Sequence, residues 1–363
     1  MTPSLEPVRD PSAWTAADLA RDRSWDYEFS ARGQRELEDA LRLVQEHGLA
    51  LAEITREAFP LPSLQEMLGD VQHQLRAGRG FALLRGVPVD GHSLDDLEKL
   101  YWGLGTYLGT AVTQNSEAGL IHYVTDGKLR PRQGTRGVGN PGKVEPHVDL
   151  ADCVGLFCIR QAPDDPPSLA ASSMTVYNEI LRRHPDWLPR LYEGYSWTRM
   201  EEEAPNESPV SGYRVPVFSA ADGTVTCRFN AGWIRKGAER AGTPLTEEDL
   251  EMFEFIRATA TGHAFSFPLH AGEIAWMNNY TVFHGRAAHE PVADEQRKRL
   301  LLRLWLDLPD VRPFADEGRV RYGVIRHGKL GWTAADLLAG NHRNPHRRRP
   351  DGVPVVAGPA TRS

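Results

Sequence analysis

The chain has 363 residues, of which 40% are hydrophobic and 25% are charged, a composition typical of a globular enzyme. This length allows one large core or two modest domains. The net charge of −7 and the pI near 6.0 argue against a general nucleic-acid binder. No stretch approaches the roughly 18–20 uninterrupted apolar residues of a spanning helix, and the N-terminus lacks a signal pattern. We therefore expect a cytoplasmic protein that binds neither membrane nor nucleic acid.

The first part of the chain has apolar residues at helical spacing. This spacing predicts helices over 30–47, over 63–78 and from Ser93. Ser63 and Glu66 have the spacing of a capping box at the start of the second helix. The short apolar run over 80–89 predicts a strand between the second helix and the third.

Strand and turn signals dominate from about residue 110. The predicted elements are a buried strand over 153–162, a short helix within 172–183, a hairpin over 214–230 that turns at Asp222-Gly223, a helix over 246–257 capped by Thr246 and Asp249, two strands over 263–286, and a last apolar strand over 299–308. Helices followed by many strands favour an α+β arrangement around a β-sandwich or barrel over a doubly wound sheet.

Residues 144–150, VEPHVDL, contain a His-x-Asp sequence at the start of this strand-rich region. Alternate residues of a strand share a face, so His147 and Asp149 are expected to point the same way. A second histidine, His284, ends a later predicted strand. Two imidazoles and a carboxylate can occupy one face of an octahedral Fe(II), which leaves positions open for a bidentate acid and O₂. The same set could also activate water on zinc in a hydrolase.

Two arginines, Arg299 and Arg303, lie among leucines in the last predicted strand. A guanidinium is costly to bury without an anionic partner. The distant carboxylate of a 2-oxo acid would be such a partner, because it accepts a bidentate, charge-assisted pair. Asn278 and Asn279 are interpreted as turn residues that order the strand leading into His284.

Four segments occur in a particular order: EPHVDLADCVGLFCIRQA, SSMTVYNEI, GEIAWMNNYTVFHGR and RKRLLLRLWL. Together they resemble the taurine dioxygenase/TfdA-like family of Fe(II)- and 2-oxoglutarate-dependent oxygenases, over roughly 80–335. The resemblance implies a double-stranded β-helix (a cupin-like jelly roll) with flanking helices. It implies an N-terminal helical lead-in over 1–79, an oxygenase domain over 80–335 and a flexible basic tail over 336–363.

The resemblance also implies roles for individual residues. His147, Asp149 and His284 would be the iron ligands, and Arg299 would bind the far carboxylate of 2-oxoglutarate. Arg303 matches a second family arginine that faces either the co-substrate or the prime substrate, so the sequence leaves open which arginine clamps the acid.

Ser168 lies where the family often places a hydroxyl that assists the carboxylate of 2-oxoglutarate, although Pro166-Pro167 replace the two glycines that commonly precede it. The stretch before the iron motif borders the substrate pocket in the family, which implies that a group of polar and aromatic residues binds substrate: Gln114, Asn115, His122 and Tyr123.

The implied function is oxidation of an unactivated C–H bond of a small molecule, amino-acid-like or a natural product, with consumption of O₂ and release of succinate and CO₂. The carboxylate of Asp149 favours hydroxylation over halogenation, while desaturation and cyclisation stay open. A zinc-dependent hydrolase that uses the same three side chains is the alternative. The sequence leaves the oligomeric state open, a homo-oligomer included.

Overall fold

The computed structural model describes residues 3–115, 119–128, 139–201, 203, 208–313, 320–321, 324–325 and 332–339. The helices of these residues are α1 (Ala16–Arg21), α2 (Ala31–Glu46), α3 (Gln65–Arg76), α4 (Leu94–Leu108), α5 (Ser173–Arg183), α6 (Leu188–Glu193), α7 (Ala231–Ala241), α8 (Glu247–His263) and α9 (Ala334–Leu338). The strands are β1 (Asp26–Glu28), β2 (Phe81–Arg85), β3 (Thr110–Ala111), β4 (Ile121–Val124), β5 (Val144–His147), β6 (Cys153–Arg160), β7 (Ser168–Ser172), β8 (Phe218–Ala221), β9 (Thr224–Cys227), β10 (Phe265–Phe267), β11 (Ile274–Asn278), β12 (Val282–Arg286), β13 (Leu300–Asp307), β14 (Val320–Arg321) and β15 (Val324–Ile325). Within these ranges, no helix is long and apolar enough to cross a membrane.

Two sheets carry the fold. The large sheet has the order β1-β2-β11-β6-β13-β3, with β4 also paired to β13, and the small sheet has the order β10-β7-β12-β5. The pairings are antiparallel except for β1 with β2. From β5 to β7 and again from β10 to β13, successive strands alternate between the two sheets. This mixture of helices and antiparallel sheets agrees with the predicted α+β class.

The large sheet buries both of its faces. Phe81 and Leu83 of β2 belong to a core that also contains Ala170 and Phe283 of the small sheet, which we call the inner core. The intervening residues of the same strand, Ala82 and Leu84, belong to an outer core with helices α2, α3 and α4. This alternation is the two-residue period of a strand, and it lets one sheet pack against a second sheet and a helical layer at once.

The helices of the outer layer form largely as the sequence predicts. Helix α2 has Ser30 at its N-cap, and the Ser30 hydroxyl accepts a hydrogen bond from the Gly33 N–H. Helix α4 begins with a capping box between Ser93 and Asp96.

The capping box predicted between Ser63 and Glu66 is wrong. The N–H and hydroxyl of Ser63 both donate to the carboxylate of Glu36 on α2, and α3 begins with Leu64 at its N-cap. A tertiary partner from a neighbouring helix therefore replaces the local cap.

Further along, the turn at Asp222-Gly223 is confirmed. Both residues have positive φ, 50° and 73°, as a two-residue hairpin turn requires. Helix α8 begins after Thr246 as predicted but runs to His263, six residues beyond the predicted end. The segment 263–286 forms three strands instead of two, and α7 was not predicted.

The proposed division of the chain into a lead-in, an oxygenase domain and a tail stays a prediction. Within the lead-in, α2 and α3 pack on the outer face of the large sheet. Most of the predicted tail, residues 340–363, lies outside the described residues.

Candidate active site

Three side chains that the sequence singled out converge at the small sheet. His147, the last residue of β5, is the register partner of His284 on β12, and their ring centroids are 4.3 Å apart. Asp149 Oδ1 lies 3.9 Å from His147 Nε2, and Asp149 Oδ2 lies 3.9 Å from His284 Nε2. One ligand atom from each residue lies within 4.8 Å of the others. The three residues could therefore share one metal ion.

The route by which Asp149 reaches this cluster differs from the prediction. The strand ends at His147, so Asp149 does not follow strand alternation. It lies in a turn over residues 148–152 that has no ladder of its own. The turn is held by contacts from elsewhere in the chain, which sequence periodicity cannot reveal.

Both imidazoles are arranged to offer a nitrogen to the centre. His147 Nδ1 lies 2.9 Å from the carbonyl oxygen of Glu145, so Nδ1 is the donor and Nε2 is the nitrogen that can bind a metal. Burial, together with the neighbouring ring of His147, lowers the pKa of His284 to about 3. His284 is therefore a neutral imidazole at neutral pH, the form that binds metals.

The carboxylate of Asp149 is held ionised. Trp305 Nε1 donates to Asp149 Oδ2 at 2.9 Å, and an Arg303 terminal nitrogen donates to the same oxygen at 3.2 Å. Burial alone would raise the pKa of Asp149, but the Arg303 guanidinium and the two imidazoles hold it well below its usual range. Two imidazoles and one ionised carboxylate fit a divalent metal such as iron or zinc.

The two arginines that the sequence singled out, Arg299 and Arg303, have different surroundings. Arg303 lies between Asp149 and Gln114, whose Oε1 accepts from Arg303 Nε at 2.8 Å. Arg299 precedes β13 and is buried, and its Nε donates to Gln161 Oε1 at 2.8 Å. Within the described part of the chain, Arg299 makes no ion pair. Burial and the nearby positive charge of Arg286 lower the pKa of Arg299 to about 10.

Ser168 is buried at the start of β7, where its register partner on β12 is Arg286. Arg286 donates to the carbonyl oxygens of Asn140 and Gly142, each at 2.8 Å. Register partners of neighbouring strands share a face, so the side chains of Ser168 and Arg286 point to the same face of the small sheet.

The four residues expected to bind substrate do not form one cluster in the structure. The Gln114 side-chain amide donates to the carbonyl oxygens of Leu120 and Arg303 at 2.8 and 2.7 Å, so it braces β13. Asn115 Oδ1 accepts a hydrogen bond from the Gly119 N–H at 3.1 Å. Both residues are buried.

His122 and Tyr123 are consecutive on β4 and therefore face opposite ways. His122 is the register partner of Arg303 and is buried beside it. Tyr123 belongs to the outer core, where burial and Glu98 of α4 raise its pKa. The structure thus brings His122 to the arginine that pairs with Asp149, and it does not bring Tyr123 there.

Sequence reasoning missed most of the residues that hold the turn over 148–152. Asn279 Oδ1 accepts from the Asp149 N–H at 3.0 Å, and buried Arg228 donates to the Asp149 carbonyl oxygen at 2.8 Å. The sequence did single out Asn279, but only as a turn residue. Arg228 gave no signal, because its partner is 79 residues away in the chain.

Comparison with known proteins defines the class. Residues 44–305 match the taurine catabolism dioxygenase TauD, TfdA family, and the chain belongs to this family. This confirms the predicted family and the predicted enzyme class, a dioxygenase, and it argues against the zinc hydrolase.

Two related sequences illustrate the relationship. The chain is 30% identical over 317 residues to FR-33289 synthase of Streptomyces rubellomurinus, covering 85% of this chain and 93% of that protein. It is 23% identical over 312 residues to the taurine hydroxylase-like protein SAT17 of Stachybotrys chartarum, covering 82% and 79%.

Solved structures share the fold. An asparagine oxygenase in complex with Fe(II), a hydroxyasparagine and succinate matches with a TM-score of 0.60 at 17% identity, covering 78% of this chain and 93% of that one. The non-heme iron oxygenase OrfP in complex with Fe and α-ketoglutaric acid matches with a TM-score of 0.55 at 14% identity, covering 78% and 93%.

Proposed function

We propose that this chain is an Fe(II)- and 2-oxoglutarate-dependent dioxygenase with a double-stranded β-helix core, and that it oxidises an unactivated C–H bond of a small molecule with release of succinate and CO₂. The observation that carries the proposal is the convergence of His147, Asp149 and His284 on the small sheet. Iron bound there would supply the chemistry that activates O₂.

Arg299 is the better candidate to bind the far carboxylate of 2-oxoglutarate. The Arg303 guanidinium already donates to Asp149 and Gln114, whereas Arg299 has a neutral partner, Gln161, and no ion pair in the described residues. A carboxylate between Arg299 and the nearby Arg286 would relieve the repulsion that lowers the Arg299 pKa. Ser168 is proposed to assist it with its hydroxyl.

The substrate is proposed to be amino-acid-like or a natural product, and hydroxylation is the proposed outcome. Support comes from relatives whose names describe an asparagine oxygenase and a synthase. His122, beside Arg303, and Asn115 are the proposed substrate-binding residues. The protein's part is to hold the reacting C–H bond near the metal and to exclude water.

The test is made without knowledge of the substrate. Anaerobic addition of Fe(II) and 2-oxoglutarate to the purified protein should produce a weak visible charge-transfer band. On exposure to air, the same mixture should release succinate in an Fe(II)-dependent manner, with or without a panel of amino-acid-like substrates.

The controls separate the proposal from its alternative. His147→Ala should lose the band and the succinate, while His263→Ala, at the end of α8, should keep both. A zinc hydrolase would show neither signal with Fe(II). No band and no succinate from the wild-type protein across the panel would contradict the proposed function.

A further inference from the structure

The turn that carries Asp149 depends on two side chains from other segments. Its backbone forms no ladder over residues 148–152, yet Asp149 and Ala151 are buried. Buried peptide groups need hydrogen-bond partners. Here the side chains of Asn279 and Arg228 supply them.

Asn279 holds both ends of the turn with one amide. Its Oδ1 accepts from the Asp149 N–H at 3.0 Å, and its Nδ2 donates to the Ala151 carbonyl oxygen at 3.0 Å. Its own backbone N–H donates to the Asp152 carbonyl oxygen at 2.8 Å. One residue thus fixes three peptide groups of the turn.

Arg228 holds the same turn from the side of β9. One terminal nitrogen donates to the carbonyl oxygens of Asp149 at 2.8 Å and Ala151 at 3.3 Å. The guanidinium stacks on the ring of Tyr280, 4.0 Å from its centroid. The Tyr280 hydroxyl donates to Asp152 Oδ1 at 2.7 Å, so the stacking partner is itself tied to the end of the turn.

The position of Asn279 links the two halves of the candidate metal centre. It lies between β11 and β12, five residues before His284 on β12. A contact from this segment to the backbone of Asp149 therefore sets the distance between the carboxylate and that imidazole. Side chains that orient metal ligands in this way commonly change metal affinity when they are removed.

We propose that Asn279 and Arg228 are positioning residues, which together form a clamp that fixes the backbone of residues 149–151 and so places the Asp149 carboxylate against His284 for metal binding. This inference rests on the proposed function, because it concerns the metal that the function requires. Asn279 and Arg228 contact the backbone of the turn and are not among the three candidate metal ligands.

The test compares two adjacent asparagines. Asn278, the last residue of β11, is equally buried, and its side chain also uses both of its polar groups. It donates to the Leu75 carbonyl oxygen at 2.8 Å and accepts from the Tyr280 N–H at 2.7 Å. Neither of these side-chain hydrogen bonds involves residues 149–151. Asn279→Ala and Asn278→Ala therefore remove similar numbers of hydrogen bonds, but only the first removes hydrogen bonds to the backbone of residues 149–151.

The readouts are the Fe(II) dissociation constant, measured anaerobically, the visible spectrum of the Co(II)-substituted protein, and the unfolding temperature without metal. Asn279→Ala should weaken Fe(II) binding about 10- to 100-fold and change the Co(II) spectrum. Asn278→Ala should lower the unfolding temperature similarly, with Fe(II) affinity within about twofold of the wild type and an unchanged spectrum.

A second variant guards against misfolding. Asn279→Asp keeps the shape and the acceptor for the Asp149 N–H but loses the donor to Ala151, so it should weaken Fe(II) binding as well. Equal Fe(II) affinity in Asn279→Ala, Asn279→Asp and the wild type would overturn the clamp alone. Failure of the wild-type protein to bind Fe(II) would overturn the proposed function and the clamp together.

Discussion

Two buried aspartates, Asp149 and Asp249, each accept hydrogen bonds from an arginine and an aromatic side chain, but these donors are distributed differently over the two carboxylate oxygens. Asp249, in the first turn of α8, forms a bidentate pair with Arg190. Arg190 Nε donates to Oδ1 at 2.8 Å, and a terminal nitrogen of Arg190 donates to Oδ2 at 3.1 Å. The Tyr195 hydroxyl and the Thr246 N–H donate to it as well, one to each oxygen. Both oxygens of Asp249 are therefore satisfied.

Asp149 also has an arginine and an aromatic donor, but their hydrogen bonds differ in placement. Arg303 and Trp305 both donate to Oδ2, while Oδ1 faces His147 Nε2 at 3.9 Å. Within the described ranges, these side-chain donors therefore reach only one of the two carboxylate oxygens of Asp149. The bidentate pair of Asp249 with Arg190 stabilises the start of α8. The carboxylate of Asp149, with its donors on one oxygen, is available to a metal.

The largest expected effect comes from removing the charge of Asp149. Asp149→Asn should lower Fe(II)-dependent turnover by at least about 1000-fold, or ~4 kcal/mol, because the amide is a poor substitute for the anionic ligand. Steady-state assays of succinate release measure this. Turnover within about tenfold of the wild type would show that Asp149 is not a metal ligand.

Arg299 extends the comparison, because no carboxylate among the described residues pairs with it as Asp249 pairs with Arg190. Arg299→Met should raise the KM for 2-oxoglutarate about 10- to 100-fold, the loss of one charge-assisted pair. Arg297→Met, at an exposed position two residues earlier, is the matched control and should leave this KM unchanged. A larger KM increase in Arg303→Met than in Arg299→Met would reverse the assignment.

Asp249→Asn should lower the stability of the fold without changing the affinity for Fe(II). Loss of the bidentate pair with Arg190 should lower the free energy of unfolding by about 1–3 kcal/mol, measured by urea denaturation. The Fe(II) dissociation constant should stay within about twofold of the wild type. A weakened Fe(II) affinity would mean that the two carboxylates are not separable in this way.

The smallest effect is a dependence of stability on acid. Burial alone would raise the pKa of Asp249, but Arg190 and the Thr246 N–H lower this pKa from 3.8 to about 2. The unfolded state then takes up a proton at a higher pH than the folded state, so stability present above about pH 4 is lost as the pH falls towards 2. Its contribution should be about 1 kcal/mol after screening. Denaturation of wild type and Asp249→Asn between pH 5 and 2.5 measures it, and parallel curves would contradict it.

Local signals in the sequence predicted much of this molecule. The starts of the helices at Ser30 and Ser93, the cap at Thr246 and the hairpin turn at Asp222-Gly223 all depend on partners within a few residues. The ordered segments around His147 and His284 identified the family, and the structure brings these side chains together.

Partners that are distant in the chain were not predictable. Ser63 bonds to Glu36, 27 residues away, instead of capping its own helix, and Arg190 reaches Asp249 across 59 residues. The family resemblance grouped Tyr123 with His122, although neighbouring residues of a strand point to opposite faces. Tertiary contacts of this kind decide which polar residues belong to the site.

A crystal structure of the anaerobic complex with Fe(II) and 2-oxoglutarate tests the central claim most directly. The account predicts one iron bound by His147, Asp149 and His284, with the far carboxylate of 2-oxoglutarate on Arg299. Iron bound elsewhere, or by only one of these three residues, would contradict it.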